Sequence, residues 1–316
     1  WFLLDQGDPV LALTRAWPAP VPGLSAYLPR GPIAALPPRE LADRIGRITT
    51  WLGEQGVDVV TVDPEVAAET RFGDELRGLG FHQIEELEPS RHRMDVALPP
   101  DGDEAAVLRS FRATTRNLIR QAEREGLVVQ RLDRAGADAT PPDPARDARL
   151  TGALYDMLDE TARRRRFRLA AEESFLRWAS ASIEAGLSFA LVVERPDGEP
   201  IAGGLFYRHG VRLTYALSAE RAEARRAHPG AGRLQLWRAM QVALAEGRTT
   251  MDLGGVDVRG ARRMPREGEP EYGLMQFKES FGARWVELTG AHERVLRPRR
   301  YAAGRALGRV RRLLAR

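Results

Sequence analysis

Of the 48 basic residues in this chain, only Lys278 is a lysine; all the others are arginine. A genome rich in G and C trades surface lysines for arginines, so the bias itself has a bland cause. A lysine that survives it does so by chance, or because a compact ammonium is needed where a flat guanidinium cannot serve. A second concentration is Arg163–Arg166 with Arg168. Guanidinium forks grip phosphate oxygens in pairs, and the same run equally suits a solvated helix end. The five histidines, His82, His92, His209, His228 and His292, show no metal-ligand spacing, and no H-E-x-x-H occurs. The chain has no cysteine, which excludes disulfides, thiolate metal sites and thiol nucleophiles. There is no G-x-S-x-G elbow and no G-x-x-x-x-G-K-[ST] loop. The expectation is an enzyme without metal or cofactor. If it makes a bond, its donor arrives already activated.

These residues need a scaffold, and 316 residues fit two domains. No run of 18 apolar residues spans a membrane. The chain opens at Trp1 within a strand-like run, with no leader in view, so its natural start is expected upstream. Residues 291–316 carry nine arginines against one acid, Glu293. Such a tail reads as a solvated helix end or as an attraction to phosphate, on RNA or on an anionic membrane face. Apolar runs flank a hairpin signal at Asp5–Asp8. A helical pattern follows over 39–55, with strands at 57–62 and 81–87 around a short helix at 70–79. Residues 103–126 read as one helix with a basic face of Arg109, Arg112, Arg116, Arg120 and Arg124. Residues 133–147, rich in Ala, Asp and Pro, read as a linker. The second half repeats the order: strands, helix 234–246, strand 250–253, helix 273–281, strand 283–288.

Hairpin strands, helix, strand, helix, strand resembles the order of GNAT acyltransferases. The predicted fold is therefore α/β (α+β), with two tandem GNAT-like domains of mixed sheet flanked by helices. They are expected at 1–147 and 148–290, with a basic C-terminal helix, 291–316, packing back on the first. GNAT enzymes hold the coenzyme A pyrophosphate on a Gly-rich loop at a helix N-terminus. Arg226–Gly232 resembles that loop but carries one residue too many.

Six segments in order resemble the Fem (FemABX-like) family of aminoacyl-tRNA-dependent peptidyltransferases. They are Tyr27–Pro32, Pro89–Asp95, Thr115–Arg120 with Glu125-Gly126, Thr161–Phe167, Met251–Val256 and Phe277–Gly282. Arg166 stands where the family often has Gly, and no helical arm interrupts the second half. The resemblance implies an aminoacyl-tRNA donor and an acceptor amine on a peptidoglycan precursor, UDP-MurNAc-pentapeptide or lipid II. It implies Lys278 as the catalytic ammonium for the tetrahedral oxyanion. Arg164, and after it Arg30, are implied as contacts to the precursor's diphosphate. Tyr215 and Asp252 are implied substrate contacts, with packing and turn-capping as their structural alternatives. Arg116, Arg120 and the tail arginines are candidates for tRNA phosphates. A cytoplasmic monomer, touching the inner membrane face through its tail, is expected. Competing readings are a tRNA-dependent amide ligase of peptide natural-product biosynthesis, a non-catalytic RNA or precursor binder, and a coenzyme A acetyltransferase.

Overall fold

A computed structural model describes residues 2–5, 8–32, 36–86, 92–136, 139–256 and 263–314. In chain order the elements are β1 (Phe2–Asp5), β2 (Asp8–Leu11), β3 (Leu13–Ala16), β4 (Leu24–Leu28), α1 (Pro38–Glu54), β5 (Val57–Val62), α2 (Phe72–Gly78), β6 (His82–Gln83) and β7 (His92–Ala97). They continue with α3 (Glu104–Ser110), α4 (Ala113–Arg124), β8 (Val128–Leu132), α5 (Pro144–Arg165), α6 (Glu172–Glu184), β9 (Ser188–Glu194), β10 (Pro200–His209) and β11 (Arg212–Glu220). The last are α7 (Ala224–Ala227), α8 (Ala231–Ala245), β12 (Thr250–Asp252), α9 (Tyr272–Glu279), β13 (Arg284–Glu287), β14 (His292–Val295) and α10 (Pro298–Leu314). Contacts sort them into two units. One is Trp1–His92 with Asp257–Arg263 and Val286–Arg316; the other is Arg93–Val256 with Met264–Trp285.

The first unit holds the β1–β2 hairpin and a five-stranded mixed sheet in the order β3-β4-β5-β14-β6. Strands β4 and β5 are parallel, joined through α1. Pro38 opens α1 at a position where its missing N–H costs nothing. Leu41, Ile45, Ile48 and Leu52 recur on one face and are buried with Leu28, Val57, Val60 and Phe72. The C-terminal helix α10 packs on this same unit. Tyr301 meets Trp17 edge-on at 6.2 Å. Gly304 lies so close that a Cβ there would come within 2.4 Å of the Trp17 ring. Asp58, fully buried, accepts the Trp17 indole N–H at 2.8 Å, with Arg297 at 3.5 Å and Arg300 at 3.8 Å from it. Removing the aspartate would leave the partly buried Trp17 indole N–H without this acceptor.

The second unit is a seven-stranded sheet, β13-β7-β12-β11-β10-β9-β8. From β7 to β8 its pairs are antiparallel except for the parallel β11–β12 pair. Helices cover both faces, as the pleat requires. A Cβ on Gly203 would meet Leu154 and Met157 of α5, and one on the next residue, Gly204, would meet Gln235 of α8. Thus α4 and α8 share one core with Phe189, Phe206 and Trp237, while α5 and α6 share another with Leu205, Val192 and Phe175.

Both units carry the unit order expected from the sequence: β4-α1-β5-α2-β6 and β11-α8-β12-α9-β13. Each also receives one strand from elsewhere. β7 follows β6 in the chain yet pairs with β12, and β14 follows β13 yet pairs with β5 and β6. Residues 93–147, which the proline-rich segment assigns to the first domain, consequently lie in the second unit. That segment is tied down there: Asp133 N–H bonds Thr140 Oγ1, Thr140 N–H bonds Asp133 O, and Asp143 caps α5 through Arg146 N–H. A second difference concerns residues 103–126, which are two helices. Phe111 is extended and buried, edge-on to Trp237 at 5.7 Å and to Phe281 at 5.1 Å. The next N–H, of Arg112, bonds Ser280 O at 2.8 Å. Burying that ring outweighs continuing the helix. The turn at 6–7 and the motif residues 89–91 lie outside the described residues.

Candidate active site

Lys278 sits in the last turn of α9, where the helix's negative end favours a cation. It is only 6% exposed. Its Nζ donates to Gly254 O at 3.0 Å and Gly255 O at 3.2 Å. Those carbonyls are aimed by the turn that ends β12. Asp252 Oδ1 accepts the Gly254 N–H at 2.7 Å, and Gly254 has φ +75°, a conformation that favours glycine. Among the described residues the ammonium makes these two bonds, leaving one of its three N–H groups for another oxygen. Burial pulls the Lys278 pKa down to about 8, and the Asp252 carboxylate works against that fall.

Asp252 stands opposite Asp95 across the β7–β12 pair; Asp252 is buried and Asp95 partly so. Burial, reinforced by Asp252, raises the Asp95 pKa, although Arg93 beside it at 3.1 Å and Arg212 both lower it. Asp95 lies in one of the six segments but carried no assigned role. Its register partner is what brings it to the site, and register is not a local signal.

The α9 end is fixed from beneath by the α3–α4 junction. Besides the Arg112 N–H bond to Ser280 O, Arg112 reaches Glu279 at 3.2 Å. Gly282 has φ +75°, and a Cβ there would lie 2.9 Å from Ser110 Oγ. The Phe277–Gly282 segment is thus a docking device that sets the height of Lys278.

The remaining candidates fall in several places. Tyr215 is set in an aromatic pile. It stacks on Phe206 at 5.2 Å, and Phe206 stacks on Phe189 at 5.2 Å. Burial pushes its hydroxyl pKa well above the usual range. Arg164 is on the last turn of α5, one-third exposed, paired with Glu160 at 3.4 Å and donating to Thr161 Oγ1 at 3.3 Å. Arg166 ends that helix with φ +56°, which explains why a glycine would be at home there. Arg116 is turned inward and donates to Phe111 O, whereas Arg120 is exposed. Arg30 belongs to the first unit. Its N–H donates to Asp63 Oδ1 at 2.7 Å, and its side chain pairs with the same carboxylate, which also takes the Tyr27 hydroxyl at 2.8 Å.

The Gly-rich loop before α8 is closed. Gly232 N–H donates to Glu220 Oε1 at 3.1 Å, and a Cβ at Gly230 would fall 2.2 Å from Leu118 O of α4. Arg225 pairs with the other Glu220 oxygen at 3.1 Å. A carboxylate therefore occupies the helix N-terminus where this loop type takes a phosphate. Among the described residues no group of three or more Asp, Glu or His is arranged to hold a metal ion. No helix among them is long and apolar enough to cross a membrane.

A helix-flanked mixed sheet with a parallel pair bridged by α8, and a buried cation beside it, defines an acyltransferase scaffold. Residues 109–279 match the family model described as an acetyltransferase (GNAT) domain. The chain belongs to that family and is a transferase. No curated protein matches it. Among solved structures it is similar to a crystal structure of FemX, with a TM-score of 0.75 and 18% identity over 93% of this chain and 86% of that one. It is also similar to the C-terminal domain of a putative lysylphosphatidylglycerol synthetase from Agrobacterium fabrum, with a TM-score of 0.59 and 13% identity over 94% and 84%. A third likeness is to L-PGS from Bacillus licheniformis, with a TM-score of 0.55 and 13% identity over 98% and 89%. The fold is thus FemABX-like: two mixed sheets flanked by helices.

Proposed function

We propose that this acyltransferase moves an amino acid from aminoacyl-tRNA to an amine of a peptidoglycan precursor, UDP-MurNAc-pentapeptide or lipid II. The observation that carries the reading is Lys278, buried, held on two main-chain carbonyls and keeping one N–H to offer. The acceptor nitrogen attacks the ester carbonyl, a C–N bond forms, and charge collects on the carbonyl oxygen. Lys278 is the fixed positive charge for that oxygen. The C–O bond to the ribose then breaks, and the proton lost by the amine ends on the ribose oxygen. Asp252 orients the turn under Lys278. Arg164 is the anion contact for the acceptor. Arg116, Arg120 and the arginines of α10 contribute positive field for the RNA.

Glu220 supports a donor other than coenzyme A, because its charge would face the incoming pyrophosphate. The test is a panel of charged tRNAs and acetyl-CoA against the soluble precursor, the lipid-linked precursor and an anionic phospholipid, read by mass spectrometry. The expected product is an aminoacylated precursor that depends on charged tRNA. Acetyl transfer from acetyl-CoA without RNA would overturn the donor, and product on phospholipid alone would overturn the acceptor.

A further inference from the structure

Strand β11 runs out at Glu220, and the alternation of side chains sends Glu220 and Arg221 to opposite faces of the sheet. Glu220 goes to the α8 face and closes the amino end of that helix. Arg221 goes to the α5 face, where its guanidinium stands 3.6 Å from Glu160 Oε2. Arg164, one turn beyond Glu160, stands 3.4 Å from Oε1. The Ala222 N–H donates to the same Oε1 at 2.9 Å and pins the carboxylate between the two arginines. The side chains of Arg164, Glu160 and Arg221 are 33%, 34% and 31% exposed, so each is within reach of a ligand from solvent.

Charge-assisted N–H···O bonds are ordinarily shorter than about 3 Å. The two guanidiniums are thus lined up on one carboxylate without being saturated by it, and two positive charges face one negative charge. A ligand with two linked anionic groups supplies what is lacking, one group to each fork. We propose that Arg221 is the second arginine of a diphosphate clamp with Arg164, their spacing set by Glu160. The clamp serves an acceptor carrying a phosphoanhydride, and in that it rests on the reading of Arg164 above. The anion site of this domain has in effect moved from the amino end of α8 to the carboxyl end of α5, across the same strand end.

UDP and UMP titrated calorimetrically into the full chain test this. The chain is expected to bind UDP more tightly than UMP. Arg221→Ala and Arg164→Ala should each weaken UDP about tenfold or more, and UMP less. Arg225→Ala removes an equal charge from the neighbouring Glu220 pair and should leave UDP binding within twofold. Arg221→Lys, which keeps the charge without the fork, should fall between and carries the comparison if the alanine variant folds poorly. Absent UDP binding, unchanged binding in Arg221→Ala, or an equal loss in Arg225→Ala would each overturn the clamp. UDP bound through both arginines, with no transfer from charged tRNA, would keep the clamp and sink the transferase reading. Transfer with an unchanged acceptor KM in Arg221→Ala would do the reverse.

Discussion

A charged lysine in a dry site is a standing cost, and Lys278 carries one. A fall from 10.5 to about 8 corresponds to about 3 kcal/mol against the ammonium form. Because the folded pKa is the lower one, the unfolded chain holds the extra proton between pH 8 and 10.5. Stability should therefore rise with pH across that window and be lost as pH falls through 8. Activity should run the other way. If the ammonium stabilises the oxyanion, kcat declines above pH 8 as the amine loses its proton. Lys278→Ala should lower kcat by about 100-fold or more with KM values nearly unchanged. Lys278→Arg keeps the charge but broadens it, so partial activity without the alkaline decline is expected in a pH–rate profile. Lys278→Met should be inactive yet melt at the same or a higher temperature at pH 7. A melting point lowered by many degrees would make this lysine a structural strut instead. Composition singled this residue out through its rarity, as a hint; the catalytic role given to it came from the resemblance. Its surroundings were not legible in the sequence, because the Gly254 and Gly255 carbonyls reach it by a turn, and Asp95 reaches Asp252 by a strand register.

At the scale of elements, α9 is positioned by a break in another helix. The arginine spacing from 109 to 124 is helical on both sides of Phe111, so local periodicity runs straight through the interruption. What decides it is a bond to Ser280 and a ring contact with Phe281, far along the chain. The same junction makes Gly282 sensitive. Gly282→Ala puts a Cβ 2.9 Å from Ser110 Oγ at φ +75°. It should cost about 1–3 kcal/mol in chemical denaturation and lower kcat by shifting Lys278. Gly78→Ala, whose Cβ would meet nothing within 4 Å, should leave both unchanged. Glu220 and Arg221 were likewise silent in the sequence. A strand end tells which faces its residues take only once the partners on those faces are known.

Across the whole molecule, charge is unevenly spread. The last 26 residues hold +8 of a formal net +4, so the rest sums to −4. On α10, Arg299 and Arg305 are exposed, with Arg305 over the Tyr301 ring at 5.8 Å. If these arginines serve RNA phosphates, the tRNA KM should climb steeply with salt. Replacing Arg299 and Arg305 with Gln should flatten that slope by roughly one to two units on a log–log plot. An unchanged slope would remove α10 from the RNA footprint. The paired α/β order of the two halves was legible because helix and strand periods are local. The reciprocal exchange of β7 and β14 was not, since a short apolar strand says nothing of which sheet it will join.

That exchange bears on how the protein is made. Thr61 of β5 pairs with Glu293 of β14, so the first sheet stays incomplete until residues beyond 290 have left the ribosome. Until then β5 lacks the strand that joins it to β6, and its edge is open to wrong partners. The second unit draws all but the end of its edge strand from residues 93–285, so it can close earlier on the nascent chain. The half synthesised first is thereby the half that finishes folding last. A chaperone that shields strand edges during elongation would matter more to this protein than to one whose domains close in the order they are read.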